Sequence, residues 1–255
     1  MAPAHHNKIY IYGKHALAEA LTNTPKVIEE IFMTSTFDDS AIRAQVKKLG
    51  LATSVLLPNK LPKEVDSQAA HQGIIGVLSF DRLIQPFTQF AENLKITPDT
   101  SLILLGELSD PQNVGAVIRS AAAFGISAVL IPEHNQAQIT GSVVKVSAGM
   151  VFRIPLVSVS NVNTSLRELK DRGFAVYGLE GGAKYTMPKE EFELPTIFVL
   201  GNESEGIREK TRELCDKLIS IPISPNCESL NAGVSAAVAF YAWSAKHPKA
   251  VRSSK

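Results

Sequence analysis

Three short polar blocks in the second half of the chain carry residue types suited to group-transfer chemistry. They are Asp110-Pro111-Gln112-Asn113-Val114-Gly115-Ala116-Val117-Ile118-Arg119-Ser120, then Leu200-Gly201-Asn202-Glu203-Ser204-Glu205-Gly206, then Ser229-Leu230-Asn231-Ala232-Gly233. Each follows a short apolar run that reads as a strand, and the first and third lead into an apolar helix. Separated polar clusters at strand-to-helix junctions point to one site assembled along one edge of an α/β sheet.

Local structure offers a rival account of most of these residues. Asn113, Ser229 and Asn231 each precede a helix, where a short polar side chain satisfies an orphan backbone amide. Glu203 reads equally as a solvated loop carboxylate, although Glu205 suits the role of helix cap better. Gly201 permits close approach of backbone to a ligand. Arg119 is harder to explain by capping or solvation. Its helix has an apolar stripe of Val114, Val117, Ile118, Ala121 and Ala122, while Ala116, Arg119, Ser120 and Ala123 form a second, nearly uncharged face. Such a face is expected to meet another surface, and a lone Arg on it suits a phosphate or carboxylate held in fork geometry. The third block opens a helix that is apolar nearly all round, through Ala232, Val234, Ala236, Ala237, Val238, Ala239 and Phe240, and so expects burial by its own domain or by a second subunit.

In order, spacing and identity the three blocks resemble the signature motifs of the SpoU (TrmH-like) RNA 2′-O-methyltransferases of the knotted SPOUT superfamily. Ile11-Tyr12-Gly13-Lys14-His15-Ala16, Glu19-Ala20-Leu21 and His71-Gln72-Gly73-Ile74-Ile75 look like that family's N-terminal substrate-binding domain. The combination is most similar to bacterial enzymes that methylate a guanosine ribose in 23S ribosomal RNA. The resemblance implies S-adenosylmethionine as cofactor, no metal, an RNA partner, a homodimer and a C-terminal trefoil knot. It implies Asn113, Arg119, Glu203, Ser229 and Asn231 as the catalytic and positioning set. Gly201, Ile221 and Leu230 would line the cofactor pocket, with Leu179 and Glu180 as weaker candidates. Lys14, His15, His71 and Gln72 are candidate RNA contacts. A guanidinium hardly gives up its proton, so Arg119 is expected to anchor phosphate and stabilise developing alkoxide, leaving the proton to Glu203 or a water. Relatives often carry Val-Ser where Ala232-Gly233 stand here, a departure expected to alter helix packing more than chemistry.

Composition sets looser bounds. With 45% hydrophobic and 20% charged residues the 255-residue chain is ordinary for a globular protein. No apolar run approaches a bilayer-spanning length and the first residues lack a signal-peptide core. The two cysteines, Cys215 and Cys227, have no metal or redox spacing, which is the expectation for reduced thiols in a cytoplasmic protein. A net charge of +1 gives no general basic excess, so any RNA-facing patch must be local. Gly178-Leu179-Glu180-Gly181-Gly182 follows a strand but lacks the G-x-G-x-x-G spacing, and Met187-Pro188 interrupts the following segment; this argues against a dinucleotide oxidoreductase. A tRNA ribose methyltransferase and a catalytically silent RNA-binding protein on the same scaffold remain as alternatives.

Periodicity predicts α/β architecture throughout. Residues 1–83 read as a small α/β substrate-binding domain with a leader at 1–7 and a short helix at 61–66. Residues 84–100, with Pro86 and Pro98 near their ends, read as a linker. Residues 101–250 read as a second α/β domain with a mostly parallel sheet, followed by a tail at 251–255. Within it a strand is expected at 153–157 and helices at 141–148 and 206–215.

Overall fold

The computed structural model describes residues 8–57, 61, 65 and 71–251. The expected leader, most of the helix expected at 61–66 and nearly all of the tail lie outside the described residues. Contacts divide the chain into two compact units, one of residues 1–84 with 139–153, the other of residues 85–138 with 154–255.

The first unit is built on β1 (Lys8–Tyr12), α1 (Lys14–Asn23), β2 (Ile28–Met33), α2 (Ser40–Leu49), β3 (Thr53–Val55), β4 (Ile74–Ser79) and α3 (Phe80–Leu83). Its four-stranded sheet has the order β1-β4-β2-β3, antiparallel except for the parallel β2–β3 pair. The run Ile74-Ile75-Gly76-Val77-Leu78-Ser79 is buried at every position, as an apolar strand between two partners requires. Helix α2 starts where the Asp39 carboxylate accepts the Ile42 amide at 3.1 Å and stops at Gly50, which has φ 63°.

Residues 139–153 do not group with the sheet that precedes and follows them in sequence. The helix expected at 141–148 is shorter, α6 (Gly141–Val146), and belongs to the first unit. At Gly141 a side chain would place Cβ 2.1 Å from the Tyr10 carbonyl oxygen, so only glycine fits. Arg153 forks onto Glu19, with Nε and Nη2 donating at 2.7 and 3.0 Å. Those bonds hold the Glu19 carboxyl below its ordinary range. Arg153 therefore serves this ion pair, and the strand expected at 153–157 begins instead at Leu156.

The second unit holds an eight-stranded sheet made by β5 (Ile84–Pro86), β6 (Ser101–Leu105), β7 (Ala128–Pro132), β8 (Leu156–Val159), β9 (Ala175–Leu179), β10 (Tyr185–Thr186), β11 (Thr196–Leu200) and β12 (Lys217–Ser220). The order is β10-β12-β9-β11-β6-β7-β8-β5. Pairing is parallel from β10 through to β8. Helices α4 (Phe87–Asn93), α5 (Pro111–Ala123), α7 (Val162–Asp171), α8 (Glu209–Arg212), α9 (Ala232–Lys246) and α10 (Pro248–Val251) accompany it. Strands β6, β7 and β11 are buried at every position, the burial their unbroken apolar runs predict.

Two sequence readings are corrected here. Residues 84–100 are not a structureless linker but form β5 and α4. Phe87, Phe90 and Ala91 on α4 join the core with Leu102, Leu130 and Val199. Pro86 only marks the start of α4, where a missing amide costs nothing. The helix expected at 206–215 shrinks to the single turn of α8, because residues 202–206 are taken up by a tight turn. Among the described residues no helix is long and apolar enough to cross a membrane.

Candidate active site

The C-terminal ends of β6 and β11 and the start of α9 bring three of the predicted side chains together. The Asp110 carboxylate accepts the Gln112 amide at 2.8 Å and starts α5, with Pro111 in its first turn. This leaves Asn113 on the first turn, buried, and free of the capping duty that sequence alone allowed it. Its Nδ2 donates to Glu203 Oε1 at 2.9 Å, and its Oδ1 accepts Asn231 Nδ2 at 2.7 Å. Asn231 Oδ1 accepts the Gly233 and Val234 amides at 2.9 and 3.2 Å. The polarity of the chain is thereby fixed from one end. An oxygen must face the amides of α9, so an NH₂ faces Asn113, so the second NH₂ faces the carboxylate. Helix capping and site assembly, rivals in the sequence, are one structure at Asn231.

Glu203 is exposed at its other oxygen, and Oε2 accepts the Ser109 amide at 3.5 Å. Partial burial opposes ionisation. The Asn113 side chain and the amides of Glu203, Ser109 and Asp110 outweigh it and hold the carboxyl below its ordinary value. Glu203 is thus ionised at neutral pH. Because its folded-state value is depressed, its contribution to stability is present above the ordinary carboxylate range and is lost as pH falls through the lowered value.

The loop that carries Glu203 is held by residues not singled out from sequence. Asn202 Oδ1 accepts the Ser204 and Glu205 amides at 2.8 and 3.1 Å, and its Nδ2 donates to the Glu107 carbonyl at 2.8 Å. Asn202 and Gly206 also exchange backbone hydrogen bonds at 2.9 and 3.0 Å. The Gly201-Asn202-x-x-x-Gly206 spacing was the available signal for this closed turn. Gly201 is required on packing grounds, since an added Cβ would lie 2.4 Å from the Gly206 carbonyl carbon. Gly201→Ala should therefore open the turn, cost about 2–3 kcal/mol and displace Glu203. A thermal melt with an unchanged midpoint would contradict this.

Arg119 does not join the cluster. It lies about 9 Å along the α5 axis from Asn113, is exposed, and has no hydrogen bond or ion pair among the described residues. Ser229 is also exposed, and its carbonyl accepts the Cys227 thiol at 3.2 Å.

Four of the five residues expected around a cofactor, all but Leu230, fall along one stretch of sheet edge. Leu200 pairs with Leu179, and Leu179 with Ile219, so Gly201, Glu180 and Ile221 follow the ends of three adjacent strands. Leu179, Ile221 and Leu230 are half-buried. Ser220 Oγ donates to the Ala183 and Tyr185 carbonyls at 3.0 and 3.2 Å, pinning the intervening loop. Gly181 and Gly182 have open space where a side chain would stand. Half-buried apolar groups beside uncluttered backbone fit an adenosyl group bound mainly through main-chain contacts. The Glu180 carboxylate is engaged elsewhere, by the Arg212 fork at 2.8 and 2.9 Å, which holds it below its ordinary value.

In the first unit, Gln72 meets Lys14 at the start of α1, where His15 follows in sequence and His71 precedes Gln72. Gln72 Oε1 accepts the Lys14 amide at 3.0 Å, and Gln72 takes φ 51° to do so. His71 Nδ1 accepts the Gly73 amide at 3.0 Å. Lys14 Nζ donates to the Asp38 carbonyl and sits over the Phe37 ring. Gln72 and His71 thus have structural duties, whereas the His15 ring is exposed. Among the described residues no His, Cys, Asp and Glu cluster is arranged to hold a metal ion.

A parallel α/β sheet with an ionised carboxylate oriented by two amides at its edge can serve group transfer, and likeness to known proteins specifies which kind. A model described as the SpoU rRNA Methylase family matches residues 100–241, and one for RNA 2′-O ribose methyltransferase substrate binding matches residues 10–83. The chain belongs to the SpoU rRNA methylase family, whose members are methyltransferases. It is 33% identical over 236 residues to the 23S rRNA (guanosine-2′-O-)-methyltransferase RlmB of Pectobacterium atrosepticum, covering 91% of this chain and 95% of that one. The RlmB of Nitrosomonas europaea is 34% identical over 236 residues, with 91% and 89% covered. In fold the chain is similar to the SpoU methyltransferase AviRb from Streptomyces viridochromogenes, solved in complex with AdoMet. That match has a TM-score of 0.80 at 20% identity and covers 95% of this chain and 92% of that one.

Proposed function

We propose that this protein methylates the 2′-hydroxyl of a guanosine ribose in 23S ribosomal RNA, with S-adenosylmethionine as methyl donor. The observation that carries the reading is the Asn231–Asn113–Glu203 chain of hydrogen bonds. It spends two amide side chains on orienting one carboxylate, an arrangement that a silent RNA-binding scaffold does not need. The substrate-binding match over residues 10–83 and the RlmB relatives support ribosomal over transfer RNA.

The donor supplies an electrophilic methyl on a sulfonium when bound beside Gly201, Leu179, Ile221 and Leu230. Glu203 Oε2 accepts a hydrogen bond from the ribose hydroxyl and so aims an oxygen lone pair. A carboxylate of lowered basicity is a poor base for a neutral alcohol. It suffices where a nearby guanidinium stabilises the developing alkoxide and so makes the hydroxyl proton more acidic. Arg119 holds the neighbouring phosphate and stabilises charge on the attacking oxygen, and Ser229 borders the same site.

Arg119 needs a second subunit to reach such a site. It stands on an α5 face otherwise made of Ala116, Ser120 and Ala123. On α9, Val234 and Tyr241 are 49% and 63% exposed, with no charged residue between positions 232 and 245. The uncovered apolar residues of α9 support a homodimer. Tyr241→Glu should yield monomers in light scattering while the melting midpoint holds; an undisturbed dimer would contradict this interface. Membership of the SpoU family supports a trefoil knot in residues 101–250, and an RNA-modifying role supports a cytoplasmic location.

The reading is tested by incubating the protein with unmodified 23S rRNA and methyl-labelled S-adenosylmethionine, then digesting to nucleosides. Label in 2′-O-methylguanosine is expected. Label in a base-methylated nucleoside, or none, would overturn it.

A further inference from the structure

The second unit contains a cavity of about 360 Å³ at the C-terminal ends of β6, β7, β8 and β11. Of the five residues expected around the cofactor, only Gly201 lines it. Its floor is apolar, with Leu104, Val159 and Val199 from three of the strands and Ile207 beside them. Its rim carries Glu107, Glu133 and Glu205.

These carboxylates are not equivalent. Glu107 is ion-paired with Arg208 at 2.6 Å. Glu133 and Glu205 are exposed, and neither side chain has a hydrogen bond or ion pair among the described residues. Glu107 and Asn135, both on the rim, hold φ 63° and 57°. A left-handed backbone at a bulky Glu is strained and persists where the surroundings enforce it, as at ligand sites.

Resting on the function proposed above, we infer that this cavity receives the guanine base of the acceptor nucleotide. Unpaired carboxylates around an apolar floor repel phosphate but accept hydrogen bonds from adjacent N–H groups on a flat ring. The N1–H and N2–H₂ edge of guanine presents that pattern, whereas adenine offers an acceptor at N1. The floor supplies the apolar surface on which a base lies. The cavity and the reacting carboxylate also share two loops. Glu203 lies between Asn202 and Glu205, which both line the cavity, while Glu107 on the opposite wall lies two residues before Ser109, whose amide holds Glu203. Asn202, bonded to Glu107 across the turn, forms the partition.

The test compares methyl transfer to an RNA carrying guanosine or inosine at the modified position, inosine lacking the N2 amino group. The wild-type protein should prefer guanosine by roughly 10- to 100-fold in kcat/KM, the usual effect of hydrogen bonds to a charged group. The Glu133→Gln, Glu205→Gln pair is isosteric and exposed, so folding is retained. It should lose activity on guanosine RNA, with little further loss on inosine RNA, bringing the two rates together. Affinity for S-adenosylmethionine, measured by calorimetry, should be unchanged. Equal wild-type rates on the two RNAs, or a variant that keeps its guanosine preference, would overturn the inference. So would a variant that no longer binds the methyl donor, since the cavity would then belong to the cofactor. Absence of transfer by the wild-type protein to any RNA is a different failure, that of the proposed function itself.

Discussion

Arg119→Ala should cut methyl transfer steeply while leaving the folded protein as stable as before. The guanidinium is exposed and has no partner among the described residues, so its removal strands no buried charge and breaks no hydrogen bond. Exposed substitutions of this kind fall within about 0.5 kcal/mol of neutral. Catalysis is a different matter. If the guanidinium holds the phosphate and the developing negative oxygen, turnover should fall by roughly 100-fold or more. Arg119→Lys keeps the charge without the planar fork and should recover only a part of it. Melting curves beside single-turnover rates separate the two effects. A large loss of stability, or full turnover in the Lys variant, would remove Arg119 from the mechanism.

Asn113→Asp is expected to have the second large effect, and its cause lies in hydrogen bonds present in this chain. The wild-type amide donates to Glu203 and accepts from Asn231 at the same time. An aspartate can still accept from Asn231, but its other oxygen then faces Glu203 Oε1 at hydrogen-bond distance. Two carboxylates so close share a proton, so the pair titrates above the ordinary carboxylate range instead of below it. In the wild-type protein the depressed Glu203 value stabilises the fold above that range and ceases to do so as acid is added. In the variant the raised value reverses the sign. Stability is reduced at neutral pH, by about 1–3 kcal/mol as for an unsatisfied polar contact, and recovers as pH falls through the raised value. If Glu203 aims the acceptor oxygen as proposed, turnover should fall by roughly 100-fold. Unfolding at pH 5 and pH 8 checks the sign. A variant with the wild-type pH profile would mean that Asn113 does not set the ionisation of Glu203.

The contrast between these residues marks what the sequence could reveal. Asn113, Glu203 and Asn231 stand at strand-to-helix junctions, and in a parallel sheet such junctions converge on one edge. Their meeting was therefore legible from element order alone. The division of labour was not. Asp110 takes the cap of α5 and so releases Asn113, a choice between neighbours that only packing decides. Glu180 is drawn away by Arg212, a pairing across distant positions with no local signature. Arg119 stays exposed although α9 packs on α5, an outcome that its nearly uncharged helix face did not foretell.

The fold shows the same limit. Unbroken apolar runs identified the buried parallel strands. Pro86 and Pro98 near the ends of residues 84–100 suggest a linker, although Phe87, Phe90 and Ala91 have the spacing of a buried helical stripe. The segment 139–153 looks like one more helix of the sheet domain, and nothing in its periodicity tells which unit it joins. The contacts that decide it involve Glu19 and the Tyr10 carbonyl, far away in sequence.

The most direct test of the account is made in cells. Delete the gene, map ribose methylation at nucleotide resolution across all RNA, and restore either the intact protein or its Asn113→Asp form. The account predicts that one 23S guanosine loses its 2′-O-methyl group, and that only the intact protein returns it. An unchanged methylation map, or full rescue by the Asn113→Asp form, would contradict it.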